Sequence, residues 1–427
     1  MTQKRSDECI YTLSSTVKQK ARRKTLPGSI VKSVAGADED LDTMVRQIMI
    51  EFAKITGLSP ETSLPKRYLW TDAYAVCNFL GLYRQTSEEQ YKQFALFLVD
   101  QVHATLGRHR RDDPRTGWVS GLNEEEGRRH PTKGGLRIGK EMNERRPEEP
   151  FDERMEWDRD GQYYHYLTQW MHALDCASRV FGDPTFNRWA IELAKTAHAK
   201  FTYLPLRGGE KRLYWKMSID LSYPLVSSMG HHDPLDGLIT YSELQATTAK
   251  YSRRSALPDL SSEIADMSVL CQGENWTTDD PLGIGGLLIG AYKIAQLIVA
   301  DSFIRPDLLK IVLDDSLTGL DYFARKAPLK LPAHHRLAFR ELGLSIGLQA
   351  IVKLQGLIEQ YPGVFKKKHD VHSCIRSIME HTHLSEMINV FWLERKNRES
   401  DTWTEHRGIN MVMLATSLSP DGYLSPL

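Results

Sequence analysis

The sequence predicts an all-α protein built as an (α/α)6 barrel, in which six inner helices alternate with six outer ones. Three observations predict this fold class. Apolar residues recur at helical spacing from about residue 41 onward, and no persuasive pair of alternating strands interrupts them. Several of the even-numbered helices are more apolar or richer in small residues than the odd-numbered ones. The longest connections all precede even-numbered helices, so the extra loop length collects at one end of the barrel.

Twelve helices are predicted from apolar periodicity. In the first, "LDTMVRQIMIEFAKI", the apolar residues fall on one helical stripe. The predicted helices span about 41–55, 70–85, 87–106, 161–181, 184–203, 235–250, 259–271, 281–299, 306–326, 335–355, 367–382 and 403–418.

Capping residues set several of these boundaries. Ser87 to Gln90 and Thr402 to Glu405 are each typical of a capping box. Asp183, Asp233 and Asp280 are each followed by proline, which predicts an N-cap and a first helical residue.

The inner helices are distinguished by their lack of a charged face. "PLGIGGLLIGAYKIAQLIV" (281–299) and "LGLSIGLQAIVKL" (342–354) carry little charge, as expected of helices buried on both sides, whereas 185–203 has a charged face. The two long insertions, about 107–160 and 204–234, come before the fourth and sixth helices. They are expected to lie at the same end of the barrel.

Composition is that of an ordinary soluble globular protein, with 41% apolar and 26% charged residues. The 55 basic and 55 acidic residues cancel, so no overall field favours nucleic acid or a membrane surface. Five dispersed cysteines, without a paired pattern, and the lack of a secretory signal or a long apolar run predict a cytoplasmic protein. Residues 1–40 are predicted to be a flexible basic tail, and 41–427 one barrel domain with a charged insertion at 107–160.

The helix count, the loop asymmetry and inner-helix openings such as "YLWTDAYAV" and "EWDRDGQYYHYLTQWMHAL" resemble the six-hairpin glycosidase group. This resemblance implies a site at the end of the barrel where the inner helices begin, beneath the long loops. We call this end the rim. Its predicted residues are 66–74, 155–166, 214–236, 274–283, 332–340 and 401–407.

The resemblance favours a glycoside hydrolase, whose chemistry needs one carboxylic acid and one carboxylate. The rim supplies carboxyl groups with aromatic neighbours or an inward position on the sixth helix. The predicted catalytic residues are Asp72, Asp158 and Asp236, with Glu156 as a substitute.

Flat aromatic and cationic groups on the rim are candidates for binding the substrate. Histidine and arginine recur where inner helices begin, although a cation is disfavoured at the positive end of a helix. That recurrence predicts a pocket for hydroxyl groups, a carboxylate or a phosphate. The predicted binding residues are Trp70, Tyr74, Trp157, Tyr163, His232, Trp276, His335, His406 and Arg407.

Two alternatives to hydrolysis remain. A sugar epimerase similar to the N-acylglucosamine 2-epimerase group would use paired histidines, His232 with His406 or His335. A non-catalytic helical binding protein would need no carboxyl pair. In each case the expected ligand is a small carbohydrate or an acidic sugar, without nucleic acid or membrane, and the sequence does not determine the oligomeric state.

No cofactor or metal is expected from the motifs. The adjacent residues His231, His232 and Asp233 point in different directions and have no further ligands at suitable spacing. "KGGLRIGK" lacks the phosphate-loop pattern, and no serine-hydrolase elbow occurs.

Overall fold

The computed structural model describes residues 28–62, 64–205, 208–251, 257–365 and 369–424. The chain divides into two compact units, Met1–Thr43 and Met44–Leu427. Of the first unit only 28–43 are described, and they are helical. The rest of the predicted basic tail lies outside the described residues, so the proposed division at residue 40 stays a prediction.

The described residues contain seventeen α-helices. The first begins at Gly28, well before the predicted residue 41, and short helices also occur in the insertions. The helices are α1 (Gly28–Ile55), α2 (Leu69–Thr86), α3 (Glu89–Leu106), α4 (Glu124–Arg129), α5 (Glu153–Asp158), α6 (Tyr164–Phe181), α7 (Pro184–Phe201), α8 (Asp233–Tyr251), α9 (Ser261–Leu270), α10 (Pro281–Val299), α11 (Leu308–Lys326), α12 (Ala338–Gln360), α13 (Pro362–Phe365), α14 (His369–Met379), α15 (His383–Leu393), α16 (Asp401–Thr404) and α17 (Arg407–Leu418).

Six of these helices close into a ring. Helix α2 packs against α6, α6 against α8, α8 against α10, α10 against α12, α12 against α17, and α17 against α2 again. These are the helices that the sequence assigns to the inner positions. The predicted (α/α)6 barrel is therefore confirmed, and with it the resemblance to the six-hairpin glycosidase group at the level of the fold.

The outer helices each pack against the ring. Helix α3 contacts α2, α7 contacts α6, α9 contacts α8 and α11 contacts α10. Helices α14 and α15 both pack on α12, and residue Met49 of α1 accepts a hydrogen bond from Asn78 of α2. Helices α10 and α12 are long and apolar enough to cross a membrane, but 72% and 67% of those segments are buried inside the protein. That burial is what the inner position in the ring requires.

Glycines bring α10 and α12 unusually close. A Cβ atom built on Gly285 would lie 2.1 Å from the carbonyl oxygen of Gly343, and one on Gly347 would lie 2.6 Å from Gly285 Cα. Neither distance is sterically possible, so the sequences "GIGG" and "GLSIG" are needed for this contact.

Short strands tie the insertions to the barrel. Strand β1 (Gln162–Tyr163) pairs with β4 (Lys216–Met217), which pairs with β5 (Pro224–Val226); β2 (Thr202–Tyr203) pairs with β3 (Arg212–Leu213). The first insertion is anchored by a buried ion pair in which Arg137 Nη1 lies 2.5 Å from Asp160 Oδ2. These contacts hold both insertions against the start of α6.

The predicted caps are confirmed in two of five cases. Asp183 Oδ1 accepts from the Thr185 amide at 2.8 Å, and Asp280 Oδ1 accepts from the Leu282 amide at 3.0 Å. The other three predictions are wrong, because each side chain or backbone is engaged differently. Ser87 adopts a left-handed conformation with φ of 59° that ends α2, Asp233 is itself the first residue of α8, and Thr402 donates to the Ala333 carbonyl.

The outer position between α12 and α17 holds two helices where the sequence predicts one, 367–382. The Thr382 hydroxyl donates to the Met379 carbonyl at 2.8 Å and ends α14 there. The following apolar stretch, "HLSEMINVFWL", forms α15, which the sequence analysis missed.

Replacing the cap of α7 should lower stability measurably. Asp183→Ala leaves the Thr185 amide without its acceptor and is expected to cost about 0.5–2 kcal/mol in the free energy of unfolding. Asp183→Ser retains a capping oxygen and serves as the control, with little change expected. Urea unfolding of the two variants measures the difference; equal stabilities would contradict the cap.

Candidate active site

The first turns of all six inner helices line two adjoining cavities. An outer cavity of about 1080 Å³ and an inner cavity of about 310 Å³ share the walls Trp70, His165, Trp215 and Leu282. The inner cavity continues along the barrel to Lys293, roughly 18 Å beyond the start of α10 at 1.5 Å per residue. The site is therefore a funnel that narrows along the barrel.

Both long insertions contribute to this end of the barrel. The first insertion contributes Arg137, Trp157 and residues 139–141 to the cavity walls, and the second contributes Trp215 and residues 230–232. The two insertions thus lie at the same end, where the sequence analysis predicts the rim.

An aromatic wall surrounds the junction of the two cavities. Its members are in contact: Trp70 lies 5.3 Å from Tyr166 and 5.9 Å from His165, and Trp215 lies 5.2 Å from both Trp157 and Tyr163, measured between ring centroids. Exposed faces of such rings bind the apolar face of a pyranose. Three of these rings, Trp70, Trp157 and Tyr163, belong to the predicted binding residues.

Several buried polar atoms of cavity-lining residues have no hydrogen-bond partner among the described residues. They include the indole nitrogen of Trp70 and Oδ2 of Asp233, whose residues are 9% and 3% exposed. Leaving such groups unpaired is costly, so a bound polar ligand would gain from meeting them. One donor and one carboxyl oxygen suit sugar hydroxyl groups.

Asp236 lies in the inner cavity together with Lys293. Burial raises the pKa of Asp236 to about 7, although the positive charge of Lys293 opposes the shift. Lys293 Nζ is fixed 2.9 Å from Glu243 Oε2 and 2.9 Å from His172 Nδ1. A carboxyl group with a pKa near 7 can accept or release a proton at neutral pH, which is what an acid/base catalyst requires.

Asp72, another predicted catalyst, lines the outer cavity but is held on several sides. Its Oδ2 accepts from the Tyr68 amide at 2.9 Å, and its Oδ1 lies 3.5 Å from Arg67 Nη1. Burial raises the pKa of Asp72 to about 6, while Arg67 and the Tyr68 amide oppose the shift. These contacts give Asp72 a role in starting α2.

The structure does not bring the other two predicted catalysts to the cavity walls. Glu156 is buried, with Oε1 2.8 Å from Lys216 Nζ and Oε2 3.1 Å from Arg145 Nε. Asp158 is exposed at the end of α5. The assignment of both residues as catalysts stays a prediction. The contacts of Glu156 are those of a buried ion pair that stabilises the fold.

The predicted histidines are dispersed around the funnel. His232 lines the inner cavity, and its Nε2 lies 2.9 Å from the Trp276 carbonyl oxygen. Burial lowers the pKa of His232, and likewise of His165, to about 4, so both rings are neutral at pH 7. His406 and His335 are both exposed. His406 lines the outer cavity at the start of α17, whereas His335 lies in a 3-10 turn and lines neither cavity.

The remaining predicted binding residues have mixed placements. Tyr74 lines the inner cavity and stacks on Tyr423 at 4.5 Å, whereas Trp276 is fully buried in the core. Arg407 lines the outer cavity and forms an ion pair with Glu51. That pair also borders a separate cavity of about 650 Å³, outside the funnel.

Sequence reasoning missed Lys293 and gave His165 no role. The signal for Lys293 was present, because it is the one charged residue in "PLGIGGLLIGAYKIAQLIV". A lysine within an apolar inner helix needs a carboxylate or another hydrogen-bond partner, because burying an unpaired charge is costly.

No protein-family model and no curated protein matches the chain. Solved structures that align with it include a sugar epimerase from a ruminal bacterium, with 10% identity over 88% of this chain and 98% of that chain and a TM-score of 0.46. Cellobiose 2-epimerase from Spirochaeta thermophila DSM 6192 aligns with 13% identity over 87% and 97% of the two chains and a TM-score of 0.44. That from Bacillus thermoamylovorans B4167 aligns with 11% identity over 74% and 76%, with a TM-score of 0.39. Similarity at this level concerns only the arrangement of the helices. The activity has to be inferred from the residues of the site.

Proposed function

We propose that this protein is a carbohydrate-active enzyme that transfers a proton next to the carbonyl group of a reducing sugar, as an epimerase or isomerase does. The observation that supports it is the inner cavity, where Asp236, with a pKa near 7, lies close to Lys293 beneath aromatic rings. Proton abstraction beside a carbonyl needs a base matched to the working pH and a positive group near the oxygen. Asp236 and Lys293 supply these two functions.

In the proposed reaction, the Asp236 carboxylate takes a proton from the carbon next to the carbonyl of the open-chain sugar. The electron pair moves onto the carbonyl oxygen, where the Lys293 ammonium group stabilises the enediolate. Protonation of the same carbon from the opposite face, by a second group that carries a proton, gives an epimer. Protonation of the former carbonyl carbon, with transfer of the neighbouring hydroxyl proton to the former carbonyl oxygen, gives the isomeric ketose. Mass is conserved in both cases.

Protonation of the enediolate from the opposite face needs a second group across the funnel. Helix α17 lies three positions from α8 in either direction around the ring, so it is on the opposite wall. His406 begins α17 and lines the outer cavity, and we assign it this role. His335, the other predicted partner, does not belong to the residues that line the two cavities.

The placement of carboxyl groups favours this proposal over glycoside hydrolysis. A hydrolase needs two carboxyl groups that flank the scissile bond. Among the four predicted catalysts only Asp72 and Asp236 line the funnel, and Asp72 is held by Arg67 and the Tyr68 amide. Proton transfer beside a carbonyl needs no such pair.

The lining of the outer cavity contains six lysine or arginine residues and three acidic ones. The cations are Lys66, Arg67, Arg137, Lys140, Arg340 and Arg407, and the acids are Asp72, Glu141 and Glu405. Three of the cations also pair with carboxylates outside the lining: Arg137 with Asp160, Arg340 with Asp280, and Arg407 with Glu51. The charges therefore balance, and the lining does not select between neutral sugars and uronic acids.

The proposal is tested by product analysis with reducing aldoses, uronic acids and disaccharides. We expect an isomer of unchanged mass, detected by nuclear magnetic resonance, and no new reducing end. Release of a shorter sugar would instead establish hydrolysis, and binding without turnover would establish a binding protein. Asp301→Asn, an exposed carboxyl group beyond the far end of α10, is the matched control and should be fully active.

A further inference from the structure

A cluster of three soft ligand groups lies beyond the floor of the inner cavity. Cys77 of α2 and His172 and Cys176 of α6 are each at most 2% exposed. Their two sulfur atoms and one imidazole nitrogen all lie within 4.8 Å of one another. The proposed reaction uses none of them.

The distance between one sulfur atom and the imidazole matches that between two ligands of one metal ion. Cys176 Sγ lies 3.6 Å from His172 Nε2. Two ligands of a tetrahedral zinc site with ordinary Zn–S and Zn–N bonds are also about 3.6 Å apart. Two sulfur atoms and an imidazole form a donor set that zinc prefers. The Tyr423 carbonyl oxygen, 3.0 Å from His172 Nε2, lies close enough to supply a fourth ligand.

Neighbouring residues could orient the imidazole for coordination. His172 Nδ1, the nitrogen that faces away from the sulfur atoms, lies 3.5 Å from Glu243 Oε2 and 2.9 Å from Lys293 Nζ. A carboxylate that accepts from the distal N–H is the usual arrangement behind a zinc-bound histidine, and Glu243 supplies it. An Nδ1–H cannot accept from the Lys293 ammonium group, so with the metal bound Lys293 keeps its ion pair with Glu243, at 2.9 Å, in place of the contact with His172.

The buried charges around the cluster cancel one another and do not repel a divalent cation. Lys293 pairs with Glu243, and Arg179 Nε lies 3.0 Å from Asp175 Oδ2, so these four charges cancel. Two cysteine thiolates would add two negative charges in a buried site, which one Zn²⁺ ion neutralises.

We propose that Cys77, His172 and Cys176 form a structural zinc site that joins α2 to α6 beneath the substrate cavity. The site fixes two neighbouring inner helices and, through Glu243, which contacts both His172 and Lys293, the surroundings of Lys293. Cys77, His172 and Cys176 line neither cavity, so the site does not depend on the proposed reaction.

The test is the zinc content of full-length protein produced with added zinc and purified without chelator or polyhistidine tag. We expect about one zinc per chain by elemental mass spectrometry. Cys77→Ser and Cys176→Ser should each lower the zinc content at least tenfold. Cys271→Ser is the matched control, since Cys271 is an equally buried cysteine outside the cluster and its loss should leave the zinc content unchanged.

A spectrum of the wild-type protein keeps the proposal testable if the serine variants do not fold. Co²⁺ exchanged into the protein should give a thiolate-to-cobalt charge-transfer band. Wild-type protein with less than a tenth of a zinc per chain and no such band would overturn the proposal. An intact mass two hydrogens lower, from a Cys77–Cys176 disulfide in zinc-free protein, would overturn it as well.

Discussion

Asp236→Asn is expected to lower turnover of the sugar by about 10²–10⁴-fold, the usual contribution of a general acid or base. The amide keeps the shape of the side chain in the inner cavity but cannot take up a proton at neutral pH. Binding should change far less, because the aromatic wall and Lys293 remain. Turnover and dissociation constants of the variant, compared with those of Asp301→Asn, measure the effect. Full activity of Asp236→Asn would exclude this residue as the base.

The same substitution should alter how stability depends on pH. The pKa of Asp236 in the folded state, about 7, lies above its ordinary value of 3.8. The folded state therefore binds the proton more tightly, and this stabilisation is complete below about pH 4 and lost as the pH rises through 7. Three pKa units correspond to a loss on the order of 4 kcal/mol.

Asp236→Asn carries no titratable group and should not show this loss. Measured against wild type, the variant should become progressively more stable between about pH 4 and 8. Chemical unfolding at several pH values gives the difference. A constant difference across this range would show that the pKa of Asp236 is not raised by folding.

Lys216→Met should cause the largest loss of stability. Lys216 is fully buried, and its Nζ donates to Glu156 Oε1 at 2.8 Å and to the carbonyls of Glu156 and Arg159 at 2.7 and 2.9 Å. Removing Lys216 leaves Glu156 Oε1 and two carbonyl oxygens without their donor and only Arg145 to pair with the Glu156 charge. Breaking a buried ion pair in this way costs about 3–5 kcal/mol. The free energy of unfolding in urea measures this loss.

An exposed ion pair provides the comparison for Lys216→Met. Arg395 and Glu399 lie one helical turn apart on the surface, 3.1 Å between Nε and Oε1, and Arg395→Met should cost no more than about 0.5 kcal/mol. Glu156→Gln should likewise lower stability. If Glu156→Gln instead abolished turnover without loss of stability, Glu156 would return to the catalytic residues.

Helix order and the inner positions could be predicted because they depend on local patterns. The lack of charge in 281–299 and 342–354 marks helices enclosed on all sides, and the ring confirms it. Capping was less predictable. Asp280 caps α10 as expected. Asp233 Oδ1, in contrast, lies 3.7 Å from His165 Nδ1 across the rim, and no local sequence pattern predicts such a tertiary contact.

The candidate site was predictable in position but not in its partners. The rim follows from loop lengths, and Asp72 and Asp236 both line it. Lys216, 60 residues from Glu156, turns that carboxylate into a buried anchor. Cys77 and Cys176 likewise meet only because α2 and α6 are neighbours in the ring. Such long-range contacts have no periodic or spacing signal in a single sequence.

The most direct test of the proposed proton transfer is incubation with a reducing sugar or uronic acid in deuterium oxide. The proposal predicts that deuterium enters the carbon next to the carbonyl without cleavage of the sugar, and that Asp236→Asn reduces the rate at least a hundredfold. Cleavage to a shorter sugar without deuterium at that carbon would contradict the proposal and favour hydrolysis.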